Sequence, residues 1–298
     1  MLDLVIEARK RSLGGFEVGR VLPHMNRRMV GPFIFFDHMG PVTFPPHVPR
    51  STDVRPHPHI GLSTVTYLFD GEITHRDSLG VEQVIRPGAV NWMTAGAGIS
   101  HSERFDGLIR EQGGLVHGIQ AWVALPEADE ETAPDFAHYD SDALPEFRDK
   151  GVRARLIAGT AFGLANSVTT HSPMFYLHAE LDAGASLGVP TGHAERAAYI
   201  VRGAVETDGA RYQSGQLLVF AGESDPVLHA IETTTLMLLG GAPLGPRHIW
   251  WNFVSSRRER IEQAKADWEA GRIKLPLHDD QEFIPLPKEP APRPEPMS

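Results

Sequence analysis

Thr64-Val65-Thr66-Tyr67-Leu68-Phe69-Asp70-Gly71 is the stretch on which the fold turns. Val65, Tyr67 and Phe69 occupy every second position, so an extended chain carries them on one face. Asp70-Gly71 then supplies turn chemistry suited to a hairpin. A related stretch, Tyr199-Ile200-Val201-Arg202-Gly203-Ala204-Val205, recurs later. Downstream of the two, Arg86-Pro87-Gly88-Ala89-Val90 and Gln213-Ser214-Gly215-Gln216-Leu217 correspond, and the copies run on to His101 and His229. Two copies of one β-unit account for 298 residues, a length at which two domains are the ordinary expectation.

Working outward, residues 90–93, 119–124, 152–157, 174–181 and 217–220 also read as strands, and this spacing of short strands points to sandwiches or barrels. The composition agrees: 29 Gly and 24 Pro make up about 18% of the chain, against roughly 12% on average. One helix is expected late, over 257–270. Ser256-Arg257-Arg258-Glu259 has the form of a capping box, Ile261, Ala264 and Trp268 follow at helical spacing, and Gly271 suits the stop. An acidic, proline-interrupted stretch over 126–150 reads as the connection between domains. The expected division is therefore 1–135, 136–284 with the helix, and a proline-rich tail over 285–298.

Charge and cysteine content exclude several classes. With 28 Lys and Arg against 38 Asp and Glu, the net charge is −10, which disfavours direct nucleic-acid binding and docking on anionic membranes. There is no cysteine, so disulfide scaffolds, thiolate metal sites and cysteine nucleophiles drop out. No apolar run approaches the ~18 residues that span a bilayer, and Met1 to Glu7 lacks the basic flank and apolar run of a signal peptide. A cytoplasmic monomer is the expectation.

Among 15 histidines, two pairs stand out: His57-Pro58-His59 and His101-Ser102-Glu103. Residues two apart diverge on a helix but point the same way on a strand. Pro58 also keeps His57 out of the helical region. Two such strands facing one interior would present three imidazoles and one carboxylate. That nitrogen–oxygen set suits a divalent transition metal rather than calcium or magnesium, and an octahedral ion would keep two positions free for catalysis. Thr94-Ala95-Gly96-Ala97-Gly98 lets the backbone turn sharply into the second pair. Phe35, Phe36 and Met93 are either pocket walls or core. His24, His38, His47, His75 and His117 read as turn or surface residues.

The chain resembles the pirins, which are bicupins. The resemblance is carried by Gly31-Pro32-Phe33, Asp37-His38-Met39-Gly40-Pro41, Pro56-His57-Pro58-His59-Ile60-Gly61, Asn91 through Glu103, and Pro246-Arg247-His248-Ile249-Trp250-Trp251-Asn252-Phe253-Val254. It implies an all-β fold of two cupin barrels (double-stranded β-helices, or jelly rolls) in tandem with a C-terminal helix. It further implies one divalent ion held by His57, His59, His101 and Glu103, with Fe(II) first and Ni, Cu, Mn or Zn as alternatives. The activity implied is that of a quercetin 2,3-dioxygenase: a flavonol ring is opened with O2 and carbon monoxide is released. Glu103 would double as catalytic base. The alternative is an iron-binding regulator that contacts a metabolic or regulatory protein; a cupin isomerase or hydrolase is a third reading. Two departures stand out. Cupins often carry a Glu soon after H-x-H, whereas Gly61-Leu62-Ser63-Thr64 has none. In the second copy, counting back from Tyr199 puts Val189 and Thr191 in place of His57 and His59, and Ile231 in place of Glu103, so that barrel is expected to be metal-free.

Overall fold

The computed structural model describes residues 1–12, 15–222 and 224–288, and the backbone of 296–297. Its strands form two compact units. One, here the histidine-pair unit, gathers Arg11–Val18, Asp37–Ser141 and Leu244–Ser298; the companion unit gathers Met1–Lys10, Gly19–Phe36 and Asp142–Pro243.

The histidine-pair unit is built on two antiparallel sheets. The smaller has the order Val54–His59, Ile99–Arg104, Ile73–Asp77, Glu82–Ile85. The larger has the order Asp135–Tyr139, Val90–Thr94, Leu62–Asp70, Gly114–Ala124, Phe33–Phe44, Glu17–Leu22, Arg9–Ser12, of which 9–10, 19–22 and 33–36 group with the companion unit. Leu68 of the large sheet packs with Ile73 and Ile85 of the small one in one buried cluster. Leu68 and Thr66 therefore look inward, and Val65 and Tyr67, by the same period of two, look outward. Both sets are buried, so the strand is covered on each face and the polar threonine side is the one that meets the site.

The companion unit repeats the plan strand for strand. Its small sheet runs Ser186–Gly188, Val227–Ala230, Ala204–Thr207, Ala210–Gln213. Its large sheet runs Leu2–Glu7, Gln216–Phe220, Glu195–Arg202, Thr234–Gly241, Met174–Leu181, Val152–Ala161, Glu146–Asp149. Its core is a continuous apolar cluster that includes Leu156, Phe175, Leu177, Ile200, Leu218 and Leu238. The architecture is thus the expected tandem of two double-stranded β-helices with one late helix.

The linear boundaries at 135 and 136 need correction. Leu2–Glu7 completes the edge of the companion sheet by pairing with Gln216–Phe220. The late helix, expected with the second barrel, belongs instead to the histidine-pair unit: Ile261, Ala264 and Trp268 pack on Ile60, Trp250 and Phe253. The stretch over 126–150 is more than a connection. It supplies an edge strand to each unit, Asp135–Tyr139 beside Val90–Thr94 and Glu146–Asp149 beside Val152–Ala161. Edge strands carry half-exposed, polar side chains, and their composition mimics a linker.

The helix spans Arg258–Glu269, and Gly271 takes the left-handed conformation at its end with φ +66°. The expected capping box does not form. Arg257 is the N-cap and makes no side-chain cap. The Ser255 and Ser256 hydroxyls instead donate to Glu130 Oε2 at 2.8 and 3.0 Å, and the Ser256 amide donates to Oε1 at 2.7 Å. Glu130 is buried and also pairs with the buried Arg247 at 3.0 Å. A buried ion pair needs every lone pair satisfied, and the two serines meet that need in preference to capping.

Beyond the helix the chain straps the outside of the small sheet. The Ser100 hydroxyl donates to the Lys274 carbonyl at 2.5 Å, Ser102 to Asp279 at 2.6 Å, and Arg104 to both Asp279 oxygens at 2.7 Å. Arg104 also reaches Glu282 at 3.1 Å and Asp53 at 3.4 Å. Farther on, the Trp268 indole donates to the Ile284 carbonyl and the Ile284 amide to that of Pro56. Of the proline-rich tail, 289–295 and 298 lie outside the described residues, while the backbone of Pro296–Met297 pairs with Arg247–Trp250. No helix among the described residues is long and apolar enough to cross a membrane.

Burial acts to raise the Asp279 pKa, but the hydrogen bonds from Arg104 and Ser102 and the Arg104 charge outweigh it and hold the carboxyl below its ordinary value. A depressed carboxyl contributes stability above its unfolded pKa and loses it as pH falls through the folded one. Asp279→Asn should therefore cost about 2 kcal/mol at pH 7, the worth of a hydrogen bond to a charged group. The difference from wild type should shrink below about pH 4, where the unfolded carboxyl is itself protonated. Urea melts across pH test this; a loss that does not vary with pH would contradict it.

Candidate metal centre

His57 and His59 lie on Val54–His59, His101 on Ile99–Arg104, and the two strands pair directly with His101 opposite His57 and Ile99 opposite His59. Tight turns flank both. Gly61 has φ +66°, and a Cβ there would strike the Val254 carbonyl oxygen. Its amide donates to the Gly96 carbonyl at 2.9 Å, and its own carbonyl accepts from Leu125 at 3.0 Å. Gly96 has φ +50°, and a Cβ would strike the Thr132 carbonyl oxygen. Only glycine fits either place, so the expectation that this glycine run turns the chain into the second pair is met by specific contacts.

The three imidazoles converge: each offers a nitrogen, and these nitrogens lie within 4.8 Å of one another. Ring centroids are 4.4 Å apart for His57 and His101, 5.0 Å for His57 and His59, and 5.1 Å for His59 and His101. All three are buried, His59 and His101 to 1% exposure. His57 Nδ1 sits 2.9 Å from the Arg55 carbonyl, which can only accept, so that nitrogen carries the hydrogen and Nε2 is the free donor atom. The Nε2 atoms of His59 and His101 are buried without a partner. Such orphaned nitrogens are costly unless something binds them. Burial, with smaller contributions from neighbouring imidazoles, drives the pKa of His57 down to about 4 against the pull of the Arg55 carbonyl. It drives those of His59 and His101 well below the ordinary value. Three neutral imidazoles with free lone pairs fit a transition-metal ion.

Glu103 is placed differently. The ladder slips between His101 and Glu103, so that Glu103 faces Val54 rather than Arg55. The group whose ligand atoms lie within 4.8 Å of one another is His57, His59 and His101, without Glu103. It lies near Thr66, whose hydroxyl donates to Oε1 at 3.4 Å and is itself 2.8 Å from Gln120 Oε1. Burial raises the Glu103 pKa to about 7, against the opposing Thr66 hydrogen bond.

Sequence reasoning missed two neighbours. His75 is 5% exposed and Asp77 fully buried; His75 Nδ1 lies 3.3 Å from His101 Nδ1, and His75 Nε2 lies 3.0 Å from Asp77. His75-Arg76-Asp77 has the same spacing of two as the ligand pairs, which was the available signal. His38 and His117 also correct the surface reading, pairing at 2.7 Å between neighbouring strands. Burial, and then His117, pushes the His38 pKa down to about 3. Met93 packs with Ile99 and Phe136 beside the centre, whereas Phe35 and Phe36 lie in the companion unit, Phe35 under the Arg20 guanidinium and Phe36 against Tyr199. Ser63 bonds Thr94 at 3.1 Å where an acid was missed.

In the companion unit, strand register sets Ser186 opposite His229 and Gly188 opposite Val227. By register, then, Ser186 and Gly188 stand where His57 and His59 do, three residues ahead of the positions counted back from Tyr199. The connection before Glu195–Arg202 is longer than its counterpart, and counting back misses that. His229 is satisfied by the Ser186 hydroxyl at 2.8 Å. His193 bonds the Thr160 carbonyl at 3.1 Å, and Glu195 accepts from the Gly31 amide and Arg27.

Orphaned imidazoles make the metal-free site a burden on stability. His59→Phe should therefore melt no lower than wild type without metal. Divalent metal should raise the wild-type melting point, by the equivalent of about 2.7 kcal/mol at a hundredfold excess over Kd, and leave the variant unmoved. Equal responses in calorimetry would contradict a metal centre here.

Comparison with known proteins points one way. Residues 15–123 match the family model described as Pirin, and residues 176–274 match that described as Pirin C-terminal cupin domain. A pirin-like protein of Caulobacter vibrioides is 60% identical over 97% of this chain and all of its own length. A Pseudomonas aeruginosa protein whose name proposes a quercetin 2,3-dioxygenase is 37% identical, over 94% of this chain and 87% of its own. The crystal structure of quercetin 2,3-dioxygenase from Acinetobacter baumannii superposes with a TM-score of 0.88 at 30% identity, covering 96% of this chain and 95% of that one. With both halves matched in order, the chain belongs to the pirin family.

Proposed function

We propose that the protein is a metal-dependent dioxygenase that opens a flavonol of the quercetin type with O2 and releases carbon monoxide. The observation that carries this reading is the convergence of three buried, unprotonated imidazoles on one point of the histidine-pair unit. Similarity to the Pseudomonas relative and to the Acinetobacter quercetin 2,3-dioxygenase supports the substrate class. His57, His59 and His101 would hold the ion, Fe(II) first, and Glu103 would complete the set. A divalent ion supplies Lewis acidity toward a substrate oxyanion and redox capacity toward O2.

The chain's own residues do the rest. Glu103 is the partly exposed member of the set, and a proton affinity near neutral is what a general base needs. It takes the proton of an enolic hydroxyl beside a carbonyl, leaving the oxyanion that reacts. Thr66 stands beside this carboxyl, its hydroxyl 3.4 Å from Glu103 Oε1 and 2.8 Å from Gln120 Oε1. Trp122 against His59 and Phe136 against His75 wall the imidazoles with apolar surface, which keeps water from competing with substrate.

Protein reloaded with single metals should consume O2 and release carbon monoxide with flavonols. His57→Ala should abolish both, and Glu103→Gln should lower kcat about 10²- to 10⁴-fold. Loaded protein that takes up no O2 with any flavonol would sink the proposal. Because Glu103 must lose its proton to serve as ligand, metal affinity should climb about tenfold per pH unit below about 7 and level off above it. In Glu103→Gln the slope over that range should flatten, as read by chelator competition.

A further inference from the structure

Beside the three imidazoles lies a buried chain of groups that reaches His101. Asp77 is fully buried, and its Oδ1 accepts from the Leu79 amide at 2.9 Å and the Val81 amide at 3.2 Å. These bonds orient the carboxylate so that Oδ2 meets His75 Nε2 at 3.0 Å. On the other side of its ring, His75 Nδ1 meets His101 Nδ1 at 3.3 Å. Phe136 stacks on His75 at 4.5 Å and fixes the plane of that ring.

With Asp77 as carboxylate and His75 as neutral imidazole, these contacts fit one arrangement of hydrogens. A carboxylate only accepts, so His75 Nε2 carries a hydrogen toward Asp77. The neutral His75 ring then has its lone pair on Nδ1. That lone pair accepts from His101 Nδ1–H, which leaves the His101 lone pair on Nε2, the buried nitrogen with no partner. His57 reaches the same state by a different route, through the Arg55 carbonyl.

We propose that Asp77 and His75 are positioning residues that set the tautomer of His101, so that Nε2 is presented to the metal. This rests on the metal centre of the preceding reading but not on the identity of the substrate. The relay explains why an acid and a histidine are buried at this point: a ligand's second nitrogen must be held by a partner of defined polarity.

Asp77→Asn tests the polarity. Its amide oxygen can still accept from the Leu79 and Val81 amides, while its NH2 turns a donor toward His75 Nε2. His75 then carries its hydrogen on Nδ1, and His101 is driven to the Nε2–H form that cannot bind. In ¹⁵N-histidine spectra of the metal-free protein, wild type should show His101 protonated on Nδ1 and His75 on Nε2. Asp77→Asn should reverse both. Chelator competition with Ni(II) should show affinity falling about 10- to 100-fold in Asp77→Asn, with a smaller loss in His75→Phe, which imposes no tautomer. Circular dichroism confirms that each variant is folded. Wild-type His101 found with its hydrogen on Nε2 overturns the relay with no variant needed, as does a folded Asp77→Asn that binds Ni(II) as wild type does. Wild-type protein that binds no metal overturns the metal centre instead, and the ¹⁵N spectra then decide the tautomer chain separately.

Discussion

The pairing of Val54–His59 with Ile99–Arg104 is the constraint from which the rest follows. It sets His101 across from His57 and brings His59 within reach. Because side chains alternate along a strand, each of these segments has two uses at once. The inward positions carry the imidazoles. The outward positions of the second strand, Ser100, Ser102 and Arg104, bind the strap that follows the helix. A slip of one residue would exchange the faces and put Ser100 or Ser102 where His101 belongs. The Gly61 and Gly96 turns and the strap all act against that slip.

The three imidazoles are buried, and burial governs their chemistry. Burial removes the protons from three imidazoles and adds one to Glu103 near neutral pH. The same environment that makes an unpaired nitrogen expensive makes it a good ligand. Arg104 shows the opposite outcome of burial. Desolvation works against its charge, yet hydrogen bonds to Asp279 and Glu282 and the charges of Asp279 and Asp53 outweigh it. Which result prevails depends on whether carboxylates are in contact: Arg104 has them, while the buried Asp77 bonds His75.

The companion unit shows how little of the fold the metal ligands decide. It keeps the strand order with Ser186 and Gly188 at the register of the histidine pair, and an apolar cluster carries its stability. The double-stranded β-helix is a scaffold on which a few inward positions specify chemistry. Changing those positions leaves the sheets intact, because the residues that pair and pack are the others.

Local pattern was enough to read the strands, the repeat, the late helix and the three histidines, since alternation, turn residues and spacing each act over a few positions. The H-x-H spacing was informative because two ligands on one strand share a face whatever the rest of the chain does. Tertiary structure alone decided the edges. Leu2–Glu7 pairs with a strand far along the chain, and nothing in its own composition names that partner. It likewise diverted Ser256 from capping to Glu130, turned the threonine side of Leu62–Asp70 toward the site, and brought His75 and Asp77 to His101. Each of these depends on which groups meet after burial, where an unsatisfied charge or hydrogen bond outweighs a local preference.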